Sequence, residues 1–202
     1  MNKKIGICAA AVNLFSVIGF LVSMLVSAPY ASYFTSIGIA FSFVAMISVF
    51  ACYAEENARA AGFAATAFSG MYALCNSIVY FIQLTSVRSG KLTGQAAVLL
   101  DFSQFDMMFD LDMLGYCLMA VSTFFAGLTI QAKDPAEKWL KWLLIIHGVF
   151  AVSCFIVPLL GLFDTAVKGS DATGIFVLVF WCIYFAPISA LSIRFFSKRG
   201  NA

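Results

Sequence analysis

Ser69, Tyr72, Asn76, Tyr80 and Gln83 follow one another at steps of 3, 4, 4 and 3 residues. At ~100° per helical residue, these five polar side chains fall within about 80° of arc. They sit in an otherwise apolar stretch, where an unpartnered amide facing hydrocarbon costs several kcal/mol. The stripe must therefore face other helices or a wet cavity. In a cavity, Gln83 would supply a hydrogen bond and Tyr80 a wall with a polar tip. Asp112, Tyr116 and Thr123 repeat the pattern further along at spacings of 4 and 7. Asn13, Ser16, Ser23 and Ser27 make a third stripe. The competing reading of all three is interhelical hydrogen bonding. Small-residue runs such as Gly19-Ser23-Ser27 and Ala61-Ala65-Ser69-Ala73 suit it, because they let helices approach closely.

The charged candidates are few. Asp110 and Asp112 read as carboxylates at a helix start, where the dipole favours them by ~0.3–1 kcal/mol. The Asp110-Leu111-Asp112 triplet lacks further ligands at calcium-loop spacing, so no metal is expected. Arg88 is placed to tie the preceding loop to Asp106, Asp110 or Asp112. His147, the single histidine, lies within an apolar stretch and is a candidate for a proton-linked role. A neutral ring hydrogen-bonded to a neighbouring helix is the plainer reading. One histidine cannot supply bis-histidine haem ligation, and no cofactor is expected. HExxH, GxSxG and Walker patterns are all missing, which counts against an enzyme. The six cysteines fall inside or at the ends of apolar stretches and form no CxxC pair. They read as reduced packing residues.

The elements that must position these residues are six apolar segments of about 20 residues, the length that crosses a bilayer as helix. They run over about Ile5–Ser27, Phe34–Ala54, Ala60–Leu84, Leu111–Gln131, Trp139–Gly161 and Thr173–Phe196. The chain is 62% hydrophobic and only 11% charged. That leaves too little polar surface for six soluble helices, each of which needs a wet face. Met1-Asn2-Lys3-Lys4 opens like a secretory signal, but the run from Ile5 to Val26 exceeds the ~7–15 residues of such a core. Pro29 also follows the Val26-Ser27-Ala28 cleavage candidate, so a retained span is expected. Residues 1–202 read as one all-α membrane domain, a six-transmembrane-helix bundle.

Basic residues orient it. With the N-terminus inside, Lys3, Lys4, Arg59, Lys133, Lys138, Lys141, Arg194, Lys198 and Arg199 lie in the cytoplasm, and only Arg88, Lys91 and Lys168 lie outside. Both termini are then cytoplasmic. The net charge of +2 reflects this asymmetry, and no basic, aromatic-interleaved cluster suggests nucleic acid. The one long connector, Thr85–Asp110, is too rich in Phe, Met and Leu to be disordered. It is expected to lie on the outer leaflet or to fold over the bundle mouth. Three spans flank it on either side, which leaves inverted duplication open, although no residue-level repeat joins the halves.

Tyr80-Phe81-Ile82-Gln83-Leu84-Thr85-Ser86-Val87-Arg88, Leu111-Asp112-Met113-Leu114-Gly115-Tyr116 and Glu137-Lys138-Trp139-Leu140-Lys141-Trp142-Leu143-Leu144 resemble segments of uncharacterised six-span bacterial inner-membrane proteins. The resemblance implies a small bacterial membrane bundle and brings no activity with it. The leading expectation is a binding site, serving transport or sensing, that takes a small or lipid-like molecule in an outward-facing cavity. Asn76, Tyr80, Gln83, Arg88, Asp112 and Tyr116 would form it. The alternative is an accessory membrane subunit whose polar stripes are packing glue, with an intramembrane enzyme third.

Overall fold

A computed structural model describes residues 1–161 and 171–199. The protein is an all-α bundle, with six helices long and apolar enough to cross a membrane. The first span, α1 (Asn2–Leu25), turns into α2 (Pro29–Cys52) through Ser27, whose φ is +53°. Ala28 N–H donates to the Ser23 carbonyl (2.8 Å) and Ser27 N–H to that of Met24 (3.1 Å). This paired closure ends a helix by a left-handed residue. Pro29 then opens α2 at a position where its missing N–H costs nothing. A short 3-10 turn, Glu56–Ala58, leads into α3 (Arg59–Ile82), which continues as a π-turn over Gln83–Val87.

The long connector folds over the mouth of the bundle. It contains α4 (Gln95–Leu100) and a 3-10 turn, Phe102–Gln104, and it buries Leu100 and Phe102 against Tyr33, Val79, Tyr80 and Met108. The fourth span, α5 (Met107–Leu128), begins at Asp106, whose carboxylate accepts from Met107 N–H (2.7 Å). Asp106 therefore caps the helix and Asp110 lies in its first turn, as expected, whereas Asp112 is buried beyond that turn.

The fifth span is broken into α6 (Pro135–His147) and α7 (Phe150–Leu159). The break falls at Gly148, and Pro158 lies inside α7. A Cβ on Gly148 would lie 2.8 Å from that of Phe124, so a side chain there would push α5 away. The sixth span, α8 (Asp171–Lys198), carries Pro187 inside it. Lys168, assigned to the outside by charge, lies outside the described residues.

The spans close into a ring in which α1 meets α2 and α8, α3 meets α2 and α5, and α6 links α5 to α8. Its centre is filled by Phe43, Met46, Tyr72, Met119 and Phe185. Phe43 packs edge-on to Tyr72 at 5.4 Å between ring centres. The outer surface is studded with exposed Phe15, Phe34, Phe41, Phe63 and Phe176, as a bilayer permits and water would not. Even crossing number puts both termini at one end and the long connector at the other. At the terminal end, Asp134 caps α6 by accepting from Glu137 N–H (3.0 Å), while Lys198 binds Asp134 and Arg199 binds Glu137 (3.3 Å). These contacts strap α8 to α6.

Candidate functional site

Three buried polar centres interrupt the apolar packing. The one nearest the loop end is built from the α3 stripe and α5. Asp112 is only 4% exposed, and its two carboxylate oxygens take one donor each. Asn76 Nδ2 donates to Oδ1 (2.7 Å) and Tyr80 Oη to Oδ2 (3.0 Å). The 3–4 spacing of α3 turns Asn76 and Tyr80 to the same side, and Gly115 lets α5 come close. A Cβ at Gly115 would lie 3.2 Å from Asn76 Oδ1. That amide oxygen is itself buried without a hydrogen-bond partner among the described residues. Tyr72 and Tyr116 line the same region, 6.3 Å apart, and Tyr116 meets Trp181 of α8 edge-on at 5.7 Å. No cation of the described residues lies within ion-pair distance of Asp112.

Gln83 sits one turn above Tyr80 but serves the loop. Its Nε2 donates to the Leu100 carbonyl (2.8 Å), and its Oε1 accepts from Phe102 N–H (3.0 Å). One side chain thus grips a peptide segment by two backbone groups, as a neighbouring strand would. Arg88 is exposed and lies over the Tyr30 ring, 5.2 Å from its centre. The loop is fastened by the Gln83 amide, while the Arg88 guanidinium rests on an aromatic rim. Asn76, Tyr80, Asp112 and Tyr116 are thus brought together, Gln83 adjoins them as the clasp of the cover, and Arg88 stands outside.

The second centre surrounds His147, at the break between α6 and α7. Trp181 Nε1 donates to Nε2 (3.1 Å), and Nδ1 lies 2.8 Å from Thr123 Oγ1. Indole N–H is a donor only, so Nε2 must accept and the neutral ring must carry its proton on Nδ1. Thr123 accepts that proton and passes its own to the Ala120 carbonyl (2.8 Å). Trp181 and the α5–α8 register carry this arrangement; neither is visible in the local spacing around His147.

The third centre joins α1, α2 and α8. Asn13 Nδ2 donates to the Ile39 carbonyl (3.2 Å) and to Ser42 Oγ (3.0 Å), while its Oδ1 accepts from Ser189 Oγ (2.8 Å). Ser122 similarly bonds α5 to the Ala65 carbonyl of α3 (2.8 Å). All six cysteines are free thiols, and no group of three or more metal-binding side chains occurs among the described residues. Comparison of the chain with protein-family models, with curated proteins and with solved structures gave no match.

Proposed function

We propose that this multi-pass protein binds, and transports or senses, a small or lipid-like molecule at the Asp112 centre, entering beneath the long connector. The setting is a bacterial cytoplasmic membrane, with both termini in the cytoplasm and the connector outside. The observation that carries the reading is the buried carboxylate itself. A carboxyl group inside a span, held only by neutral donors, is costly to bury and is a candidate for function. The Gln83 clasp supports it, because a cover fastened by two hydrogen bonds can open at modest cost. The basic-residue asymmetry supports the orientation.

The second reading, an accessory subunit, is favoured by the Asn13 centre, whose bonds are all between helices. Native mass spectrometry of the gently purified protein separates the two. On the binding reading, a small molecule co-purifies and is depleted in Gln83→Leu, which frees the cover. Identical, ligand-free spectra for both proteins would leave the accessory reading standing. Orientation has its own check in a background with the native cysteines replaced. A cysteine at Ser89 should react with an impermeant thiol reagent in intact cells and one at Ser197 should not; the reverse pattern inverts the topology.

A further inference from the structure

The chemistry left unmatched at the Asp112 centre has one sign. The Asp112 carboxyl has no counter-ion among the described residues, and the Asn76 amide oxygen beside it is a buried acceptor without a donor. Both call for a ligand that brings N–H groups and positive charge together. The surroundings call for a particular kind of cation. From the loop end inward, Tyr30 meets Tyr33 edge-on at 6.3 Å, and Tyr33 stacks on Tyr80 at 5.5 Å. Tyr80 in turn hydrogen-bonds Asp112. This aromatic ladder runs from an exposed rim to a buried carboxylate. Ring faces attract ammonium and guanidinium groups by ~0.5–2 kcal/mol. The outermost rung already holds a cation, the Arg88 guanidinium over Tyr30. Phe102, fixed by the Gln83 clasp, lies 6.2 Å from Tyr80 and 6.3 Å from Tyr33, so the cover closes on the ladder.

We propose that the Asp112–Asn76–Tyr80 centre takes a protonated organic amine, whose ammonium group binds the Asp112 carboxylate and the Asn76 amide oxygen between the tyrosine rings. The proposal rests on the binding reading above and names its ligand class. On it, Arg88 occupies the outer cation position while the cover is shut, and the entering amine takes the inner one once Gln83 releases Leu100 and Phe102. A neutral molecule of the same shape would leave the carboxylate unpaired, and an anion would be repelled.

The test uses the full chain in maltoside micelles at pH 7.5. 2-Phenylethylammonium and its neutral isostere 2-phenylethanol are titrated calorimetrically. The ammonium should bind at least tenfold more tightly than the alcohol, and Asp112→Asn should abolish that preference. Tyr80→Phe guards against a misfolded Asp112 variant. It removes one of the carboxylate's two neutral donors, and should tighten the ammonium at least twofold without helping the alcohol. Equal binding of the two probes, an unchanged preference in Asp112→Asn, or equal weakening of both probes in Tyr80→Phe would overturn the assignment. If the ammonium fails to bind while a molecule still co-purifies in native spectra, the amine class falls and the binding site survives. If neither is seen, both fall.

Discussion

The Asn13 and Asp112 centres each hold an asparagine buried between spans, yet they balance differently. At Asn13 each amide hydrogen has an acceptor and the amide oxygen has a donor. Ser42 even hands its own hydrogen on to the Gly38 carbonyl (2.6 Å). At Asp112 a carboxylate lacks a cation among the described residues and the neighbouring Asn76 oxygen lacks a donor. A polar cluster inside a membrane bundle is glue when its donors and acceptors cancel. It is a site when they leave a remainder of definite sign.

Truncating each asparagine puts that difference to its hardest test. Interhelical hydrogen bonds in membranes average ~0.6 kcal/mol. Asn13→Ala removes three, so it should destabilise the protein by about 2 kcal/mol in reversible SDS unfolding. Asn76→Ala removes one bond and also deletes an orphaned oxygen, so it should cost about 1 kcal/mol less. If Asn76→Ala proves as damaging as Asn13→Ala, the Asp112 centre is glue as well and the contrast collapses.

His147 sharpens the comparison from the other side, since it is titratable and yet fully matched. Trp181→Phe keeps the ring packing on Phe185 but strips the donor to Nε2. A loss of about 1 kcal/mol is expected. In the unmodified protein, nitrogen NMR should find the neutral ring protonated at Nδ1. A ring protonated at Nε2 would contradict the Trp181 bond, and would return His147 to consideration as a proton carrier.

All six spans were legible from hydropathy, because length and apolar composition decide them locally. The α3 stripe was legible too, since a 3–4 spacing fixes a helix face whatever packs on it. What that face would meet was not. Asp112 looked like a dipole-stabilised residue at a helix start. Only the α3–α5 register shows it sunk between Asn76 and Tyr80, with Asp106 doing the capping. The loop fastening was misassigned for a related reason. Charge pairing suggested Arg88, whereas backbone groups of Leu100 and Phe102, which carry no mark in side-chain chemistry, are what Gln83 holds. Glycine at position 148, where the fifth span is interrupted, leaves room for Phe124, a contact between helices that no local pattern reveals.

The smallest effect is expected at the terminal end, where charge is satisfied in the open. Lys198 and then the Glu137 backbone N–H hold the Asp134 carboxyl below its usual range, to about 2. Arg194 lies 3.9 Å away. In an unfolded chain the same group titrates near ~3.9. A carboxyl whose folded value is depressed contributes stability that is fully present above the unfolded value. That contribution fades as pH falls from about 4 through about 2. The melting temperature of the unmodified protein should therefore drop over that window more than that of Asp134→Asn, with the two curves running parallel from pH 5 to 8 and the variant slightly lower. The pair is exposed enough for salt to screen it, so 0.5 M NaCl should shrink the gap. Asp112, by contrast, is shielded from salt by burial. If added salt left the Asp134 gap untouched, the strap between α6 and α8 would have to be held by packing and hydrogen bonding, not by charge.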